Sequence, residues 1–405
     1  MLTIALALAL AAPSTQPMKK WVKNTRVSKT PAFFEAFASN GRGTFGPCST
    51  TAPTGAKGET LTFARASNGA CTKTATGGLA TTGIADGDLV VLSSNQPRVE
   101  YDSQGVLGLL VEASRQNVLV RYIEYANAAW ADVGTPTLTG SQTDPFGATN
   151  AVQFDDNDGA AYEGRSQSVT VSAGAAYTAH CDVKAGTLAE ARITLDGTAN
   201  TITGLSSTTW SVIEVTDASS SGVSIAFQAL NGDATGDTGT VIWGGCQVEA
   251  GSYRTSIIPT TSAAVTRSAE TASFAPPWPS SVSISIAGNF VGPTPATGSA
   301  AALGEFTALA SLLNESGGVW RWFTGGLGQT VSIVSTTSGI RFYGYHDGAV
   351  RGLGFGANTA GPTADADGNN KFGTDYYVSG VGGGGTPANG IVSRICVDPN
   401  PSRCR

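Results

Sequence analysis

Five charged residues crowd one short stretch of this chain: Arg98, Glu100, Asp102, Glu112 and Arg115 all fall within residues 95–119. Guanidinium and carboxylate groups at that density serve one of two ends. In an open cleft they bind ions or move protons. Beneath a folded layer they pair with one another and brace it. The surrounding pattern decides between the two. Arg98-Val-Glu-Tyr reads as a short alternating strand and residues 103–105 as a turn. Residues 106–111 form a nearly all-apolar run that needs cover on both faces. A segment of this kind is a structural leader, so its charges are expected to form a hydrogen-bonded, ion-paired brace.

Two other clusters carry ligand chemistry. Asp155, Asp156 and Asp158 sit in 155–159, and Asp365 and Asp367 in 365–370. Hard oxygen donors beside turns suit a structural calcium ion, which takes about six to eight oxygens. The second cluster lacks the downstream bidentate Glu of a helix–loop–helix calcium site. Solvated turns rich in Asp, Asn and Gly account for both clusters equally well. Trp320 and Trp322 share one parity of a candidate strand, and Tyr343 and Tyr345 share a parity with Arg341. Aromatic faces flanked by Arg hold sugar rings by stacking and hydrogen bonding. These five are the candidate glycan-binding residues, although a sandwich core produces the same alternation.

Catalysis finds little to work with. His180 and His346 are the only histidines, and His180 falls on the polar parity of its strand, where a surface position is expected. There is no G-x-S-x-G elbow, no H-E-x-x-H and no P-loop. A carboxylate-pair glycosidase needs no sequence proximity between its acids, yet no pair stands out. No catalytic residue is nominated, and a non-enzymatic protein is expected.

Six cysteines, Cys48, Cys71, Cys181, Cys246, Cys396 and Cys404, include no CxxC pair, which argues against zinc ribbons and thioredoxin-like redox chemistry. Their even number and nested spacing favour three local disulfides, Cys48–Cys71, Cys181–Cys246 and Cys396–Cys404. The alternative is a set of buried thiols in a reducing cytosol.

The elements that must position these groups are strands. The chain has 405 residues, only 13% of them charged, and 52 glycines, a composition suited to short strands and many turns. The net charge of −6, with no basic stripe, gives nucleic acid nothing to bind. Five regions follow: an apolar segment and irregular anchor (1–59), a β leader (60–120), a β-sandwich (121–270), a Pro-rich linker (271–280) and a second β-rich block (281–405). The apolar run 2–12 is too short to span a membrane. It has the length of a signal-peptide core, but Lys19, Lys20, Lys23, Arg26 and Lys29 follow it instead of preceding it. It reads as a cleaved secretion signal, as an arm that packs on a partner, or as residues upstream of a start at Met18. Residues 31–37 suggest a short helix with Phe33, Phe34 and Phe37 on one side.

In the sandwich, strands are expected at 151–154, 167–171, 176–184, 191–195, 210–215, 223–230 and 240–248, separated by turn-forming residues at sandwich spacing. Alternation places Tyr177, Ala179, Cys181 and Val183 on one face, and Ile242, Gly244, Cys246 and Val248 on one face, so both cysteines point into a core.

Several motifs together resemble tailed-phage virion proteins, in which a "PRFDYD…GLLIEEARTNLL" block leads into a jelly-roll module. Pro97-Arg98-Val99-Glu100-Tyr101-Asp102, Gly108-Leu109-Leu110-Val111-Glu112, Arg115 and Asn117-Val118-Leu119 carry that pattern. Thr62–Ser67 (TFARAS), Tyr125–Trp130 (YANAAW), Ile242–Gly251 (IWGGCQVEAG) and Ala264–Arg267 (AVTR) continue it in order. Cys246 stands where that pattern has Ala, and Trp130 and Trp243 stand at structural positions. The resemblance covers about half of the chain, roughly residues 60–269. It implies an all-β protein: an irregular N-terminal region, a jelly-roll sandwich like several carbohydrate-binding modules, and then a second sandwich, for which the concanavalin or laminin-G type is the fold-level expectation. It further implies a spike, fibre or decoration on the virion surface. Such a protein would contact other virion proteins through its N-terminal region, form a homo-oligomer (a trimer is favoured), and bind cell-surface glycan. The alternative is a secreted, lectin-like bacterial protein. No cofactor beyond structural calcium is implied, nor a membrane span.

Overall fold

The computed structural model describes residues 33–34, 47–50, 62–73, 82–101, 107–217, 222–232, 234 and 236–274, and the backbone of ten strands between Val282 and Asp398. Among the described residues there is no helix, and every strand pairing is antiparallel. The protein is all-β, as the Gly- and Thr-rich sequence requires.

Two sheets make the central sandwich. The larger has the order Thr137–Gln142, Ala151–Asp156, Gly239–Ala250, Tyr177–Ala185, Trp210–Asp217, Thr82–Ile84. The smaller runs Thr198–Ile202, Ala191–Leu195, Ser224–Asn231, Gly164–Thr170, Ala131–Val133. Each strand expected from apolar alternation forms, with its ends moved by a few residues. Of the four that the pattern missed, Ala131–Val133, Thr137–Gln142 and Thr198–Ile202 are largely exposed edge strands with no apolar face to announce them, and Thr82–Ile84 is a short edge strand contributed by the leader.

One core fills the space between the sheets. Phe154, Val183 and Trp243 of the larger sheet meet Ile193, Ile225 and Phe227 of the smaller. An aromatic chain crosses it: Tyr125 lies 4.8 Å from Trp130 and 5.0 Å from Phe154, and Phe154 stacks on Trp243 at 5.6 Å. Trp130 and Trp243 are thus core residues.

Strict alternation fails at one place. Cys181 pairs with Cys246, but Val183 pairs with Trp243, so the register slips by one residue across Gly244-Gly245. This β-bulge turns Val241 and Trp243 inward before it and Cys246 and Val248 inward after it. Ile242 therefore packs on the opposite face, with Trp210, instead of sharing a face with Cys246. Both glycines are demanded by space. A Cβ on Gly245 would lie 2.6 Å from the Tyr122 ring, and one on Gly244 would lie 2.9 Å from Asp182 Cβ.

The larger sheet is covered on its outer face as well. Ala70, Ile84 and Leu89 of the leader form a second core with Ala151, Trp210 and Ile257. All nine residues of Tyr177–Ala185 are buried in consequence. Asp86 of the leader ties down this layer. Lys184 Nζ approaches its carboxylate at 3.0 Å, Trp210 Nε1 donates to it at 2.6 Å, and the ammonium lies 4.7 Å from the Trp210 ring centroid.

The leader also joins the C-terminal block. An eight-stranded sheet includes Asn358–Ala364, Val350–Phe355, Ile340–His346, Val282–Phe290, Gly390–Asp398, Leu107–Val111 and Arg98–Tyr101 in that order. Its eighth strand is Phe33–Phe34, which pairs with Cys396 and Ile395. That pairing replaces the helical expectation for these two residues; a sheet partner 360 residues distant in sequence is invisible to local periodicity. Thr271–Phe274, at the head of the Pro-rich stretch, is a strand between Thr62–Ala64 and Tyr376–Val378. A four-stranded sheet completes the block, with Thr297–Leu303, Ala310–Glu315, Val319–Thr324 and Leu327–Ser332 in order.

Candidate functional site

Arg98 and Glu112 of the leader converge with Arg65, Arg267 and Glu270 in an enclosed network. Arg98 Nη2 reaches Glu112 Oε2 at 2.5 Å and Glu270 Oε2 at 2.6 Å, and its Nε donates to Glu270 Oε1 at 2.7 Å. Its remaining nitrogen donates to the Ala70 carbonyl at 2.9 Å and to Ser256 Oγ at 2.5 Å. Arg65 joins from the strand Thr62–Ala64 side, 2.6 Å from Glu270 Oε1, and donates to the Ser67 and Ser93 carbonyls. Arg267 closes the other end, 3.1 Å from Glu112 Oε2. Backbone donors complete the shells: Ser256 N–H to Glu112 at 2.8 Å and Glu112 N–H to Glu270 at 2.9 Å. The side chains in these ion pairs are fully enclosed.

Electrostatics follow from that enclosure. Burial alone would push the Glu112 carboxyl up, but Arg267 and Arg98 outweigh it and hold it down at about 2. Burial works against the Arg98 charge too, and Glu112 and Glu270 together reverse this and raise it. Glu100 has no such surplus of cations. Burial pushes its carboxyl up to about 8, with Arg98 opposing, and it accepts the Thr72 N–H at 3.1 Å. The cluster therefore sets Arg65, Arg98 and Arg267 around Glu112 and Glu270. All five are paired and enclosed, with Arg267 Nε left unpartnered, so none is presented to a substrate.

Arg115 stands apart from this network. Its guanidinium stacks 4.9 Å from the Tyr253 ring centroid and lies 3.6 Å from Glu249. Asp102 lies outside the described residues. The network members that local reading passed over are Arg65, Ser256, Arg267 and Glu270. Arg65 and Arg267 lie inside recognisable motifs, and a charged residue embedded in such a motif is the signal that could have drawn them in. Glu270 carries none.

His180 is a correction. It is 3% exposed, not a surface residue, because the leader covers the face that alternation assigned to solvent. Burial holds its imidazole down at about 3, and Glu249 at 3.9 Å does not reverse this.

The acidic cluster at 155–159 is engaged by its own turn. Asp156 accepts the N–H groups of Asp158 and Glu163, and Asp158 accepts that of Ala160. Asp155 belongs to the ladder, opposite Thr240. Asp365 and Asp367 lie outside the described residues. Among the described residues no group of three or more acidic, His or Cys side chains is arranged to hold a metal ion. Trp320 and Trp322 lie on Val319–Thr324 of the four-stranded sheet, whereas Arg341, Tyr343 and Tyr345 lie on Ile340–His346 of the eight-stranded one. Cys48 is bonded to Cys71, and Cys181 to Cys246, directly across neighbouring strands with Cα atoms 4.1 Å apart. Cys396 lies on Gly390–Asp398, and Cys404 is outside the described residues.

One open groove of about 360 Å³ lies on the sandwich. Val118, Val120 and Val169 give it aliphatic walls, and Gln116, Ser168 and Thr170 a polar rim; no ionisable residue lines it. Gln167 in its wall is locked by two 2.9 Å bonds to the Val120 backbone.

No family model matches the chain, and no curated protein matches it. Among solved structures, it is similar to the CBM22-1 xylan-binding domain of Paenibacillus barcinonensis Xyn10C, with 15% identity over 34% of this chain and 94% of that one and a TM-score of 0.25. The tandem CBM22-1–CBM22-2 domain of the same protein is similar at 13% identity over 71% of this chain and 98% of that one, with a TM-score of 0.26. The sandwich rests on its own strand order and core. No helix among the described residues is long and apolar enough to cross a membrane.

Proposed function

We propose that this chain is a non-enzymatic surface protein of a tailed-phage particle, a spike, fibre or decoration that displays a β-sandwich and binds neutral glycan. The observation that supports the reading is the enclosed ion pairing of Arg98 with Glu112 and Glu270, and of Arg267 with Glu112. The motif residues that resemble the virion leader act as a brace, enclosed away from solvent. The uncharged groove, with hydroxyl and amide groups over aliphatic walls, supports an uncharged polyhydroxylated ligand. The aromatic strands of the C-terminal block are the second candidate face. The test is purification of particles through a density gradient. The protein should travel with them as a homo-oligomer, and binding without release of sugar ends should follow on a glycan array. Recovery only as a free monomer would overturn the virion assignment.

The two disulfides favour a second reading, a secreted lectin-like protein made in an oxidising compartment. Sequencing of the mature N-terminus separates the two. A new terminus near Ala12 supports secretion, and an intact Met1 or Met18 supports particle assembly.

A further inference from the structure

Between the leader and the outer face of the larger sheet lies a small, partly open cavity of about 40 Å³. Glu100 lines it from the leader, His180 and Asp182 from the sheet, and Arg254 and Ser256 from the loop that follows Gly239–Ala250. His180 and Asp182 are 3% and 4% exposed. Neither ring nitrogen of His180, nor Oδ2 of Asp182, meets a protein hydrogen-bond partner. Unpartnered buried polar atoms are costly, and the volume suits about one or two waters, each able to serve several such atoms at once.

We propose that one or two ordered waters fill this cavity and bridge Glu100 of the leader to His180 and Asp182 of the sandwich, forming a pH-sensitive lock between the two. The lock goes beyond the display function and does not depend on it. Its geometry joins two layers that otherwise meet through apolar contacts, the pairing of Thr82–Ile84 with Trp210–Asp217, the Asp86 clamp and the arginine network.

The sign follows from the groups that face the cavity. Burial pushes the Asp182 carboxyl up to about 7, with Arg254 opposing and Asp144 adding to the rise. Glu100 stands at about 8 and His180 at about 3. The other charged groups packed on His180 are Glu214, its ladder neighbour, which is paired with Arg254 at 2.8 Å, and Glu249; Glu112 acts on it from farther away. A carboxyl raised on folding stabilises the closed state at low pH and loses that contribution as pH rises through its folded value. The lowered His180 does the reverse, losing its contribution as pH falls below about 6.5. Two carboxyls against one imidazole leave the closed state holding about one proton more than the open state between pH 5.5 and 8. Closure should therefore weaken about tenfold per pH unit across that range.

Amide hydrogen exchange on the full chain tests this. Protection of residues 69–73 and 82–92, corrected for intrinsic rates, should fall about tenfold per unit from pH 5.5 to 8. In the double variant Glu100→Gln, Asp182→Asn that fall should vanish, and protection should instead drop below pH 6.5, where His180 alone titrates. A flat wild-type profile, or an unchanged slope in the variant, overturns the proposal. A crystal structure of the wild-type chain at pH 5.5 provides a readout independent of the variant. Water within hydrogen-bond distance of His180 or Asp182 Oδ2 supports the lock, and an empty cavity overturns it.

Discussion

Replacing Arg98 with Ala is the most direct perturbation of the brace. The guanidinium makes contacts of 2.5–2.9 Å with Glu112, Glu270, the Ala70 carbonyl and Ser256 Oγ, all buried except the last, which is partly so. Its loss would leave each carboxylate with one arginine: Glu112 with Arg267 and Glu270 with Arg65. Breaking a buried pair in this way costs about 3–5 kcal/mol. The Ala70 carbonyl and the void add to that, while the surviving partners reduce it, so a loss of about 4 kcal/mol is expected. That corresponds to roughly a thousandfold in the folded-to-unfolded ratio. It lowers the melting temperature by about 8–16 °C if the sandwich and leader unfold as one unit of about 200 residues. Urea unfolding followed by tryptophan fluorescence reads the change directly, because Trp130, Trp210 and Trp243 are all buried. The internal control is Arg121→Ala, which removes a largely exposed pair with Glu124 at 2.9 Å and should cost under about 1 kcal/mol. If Arg98→Ala costs no more than the control, or if it abolishes glycan binding at unchanged stability, the brace is wrong and the cluster is a site.

Two further changes probe the sandwich itself. Replacing Cys181 and Cys246 together with Ala opens a cross-link with a sequence separation of 65 and should cost about 4 kcal/mol by the chain-entropy relation; calorimetry against the oxidised wild type reads it, and an unchanged melting temperature would contradict it. Gly245→Ala would drive a Cβ into the Tyr122 ring at 2.6 Å and is expected to cost about 1–3 kcal/mol, whereas Ala at Gly140, where a Cβ meets nothing within 4 Å, should be nearly silent in the same chemical denaturation.

The sequence alone determined the material of this protein. Low charge, abundant Gly and Thr, and period-2 alternation dictate short antiparallel strands. They located the seven main strands of the sandwich, because each of those buries an apolar stripe that writes itself into the residues. The inward aim of Cys181 and Cys246 was legible for the same reason. Of the mixed charges of 95–119, Arg98 and Glu112 were readable as parts of a brace, whereas Arg115 pairs elsewhere, with Glu249.

Tertiary structure decided what lies on the second face. His180 and Asp182 have the parity of solvent-facing residues, and the leader and the loop around Arg254–Ile257 folding over the sheet bury them. The bulge at Gly244-Gly245, which moves Trp243 into the core in place of Ile242, packs against a Tyr122 ring from far earlier in the chain. The partners of Arg98 come from Glu112 nearby and from Glu270, 172 residues away. Charge pairs across such separations leave no periodic trace, since the two residues need only meet in space. The same holds for the leader strands, which continue the C-terminal sheet beside Gly390–Asp398. A strand records in its own sequence which of its faces is apolar; it does not record which backbone will pair with its edge.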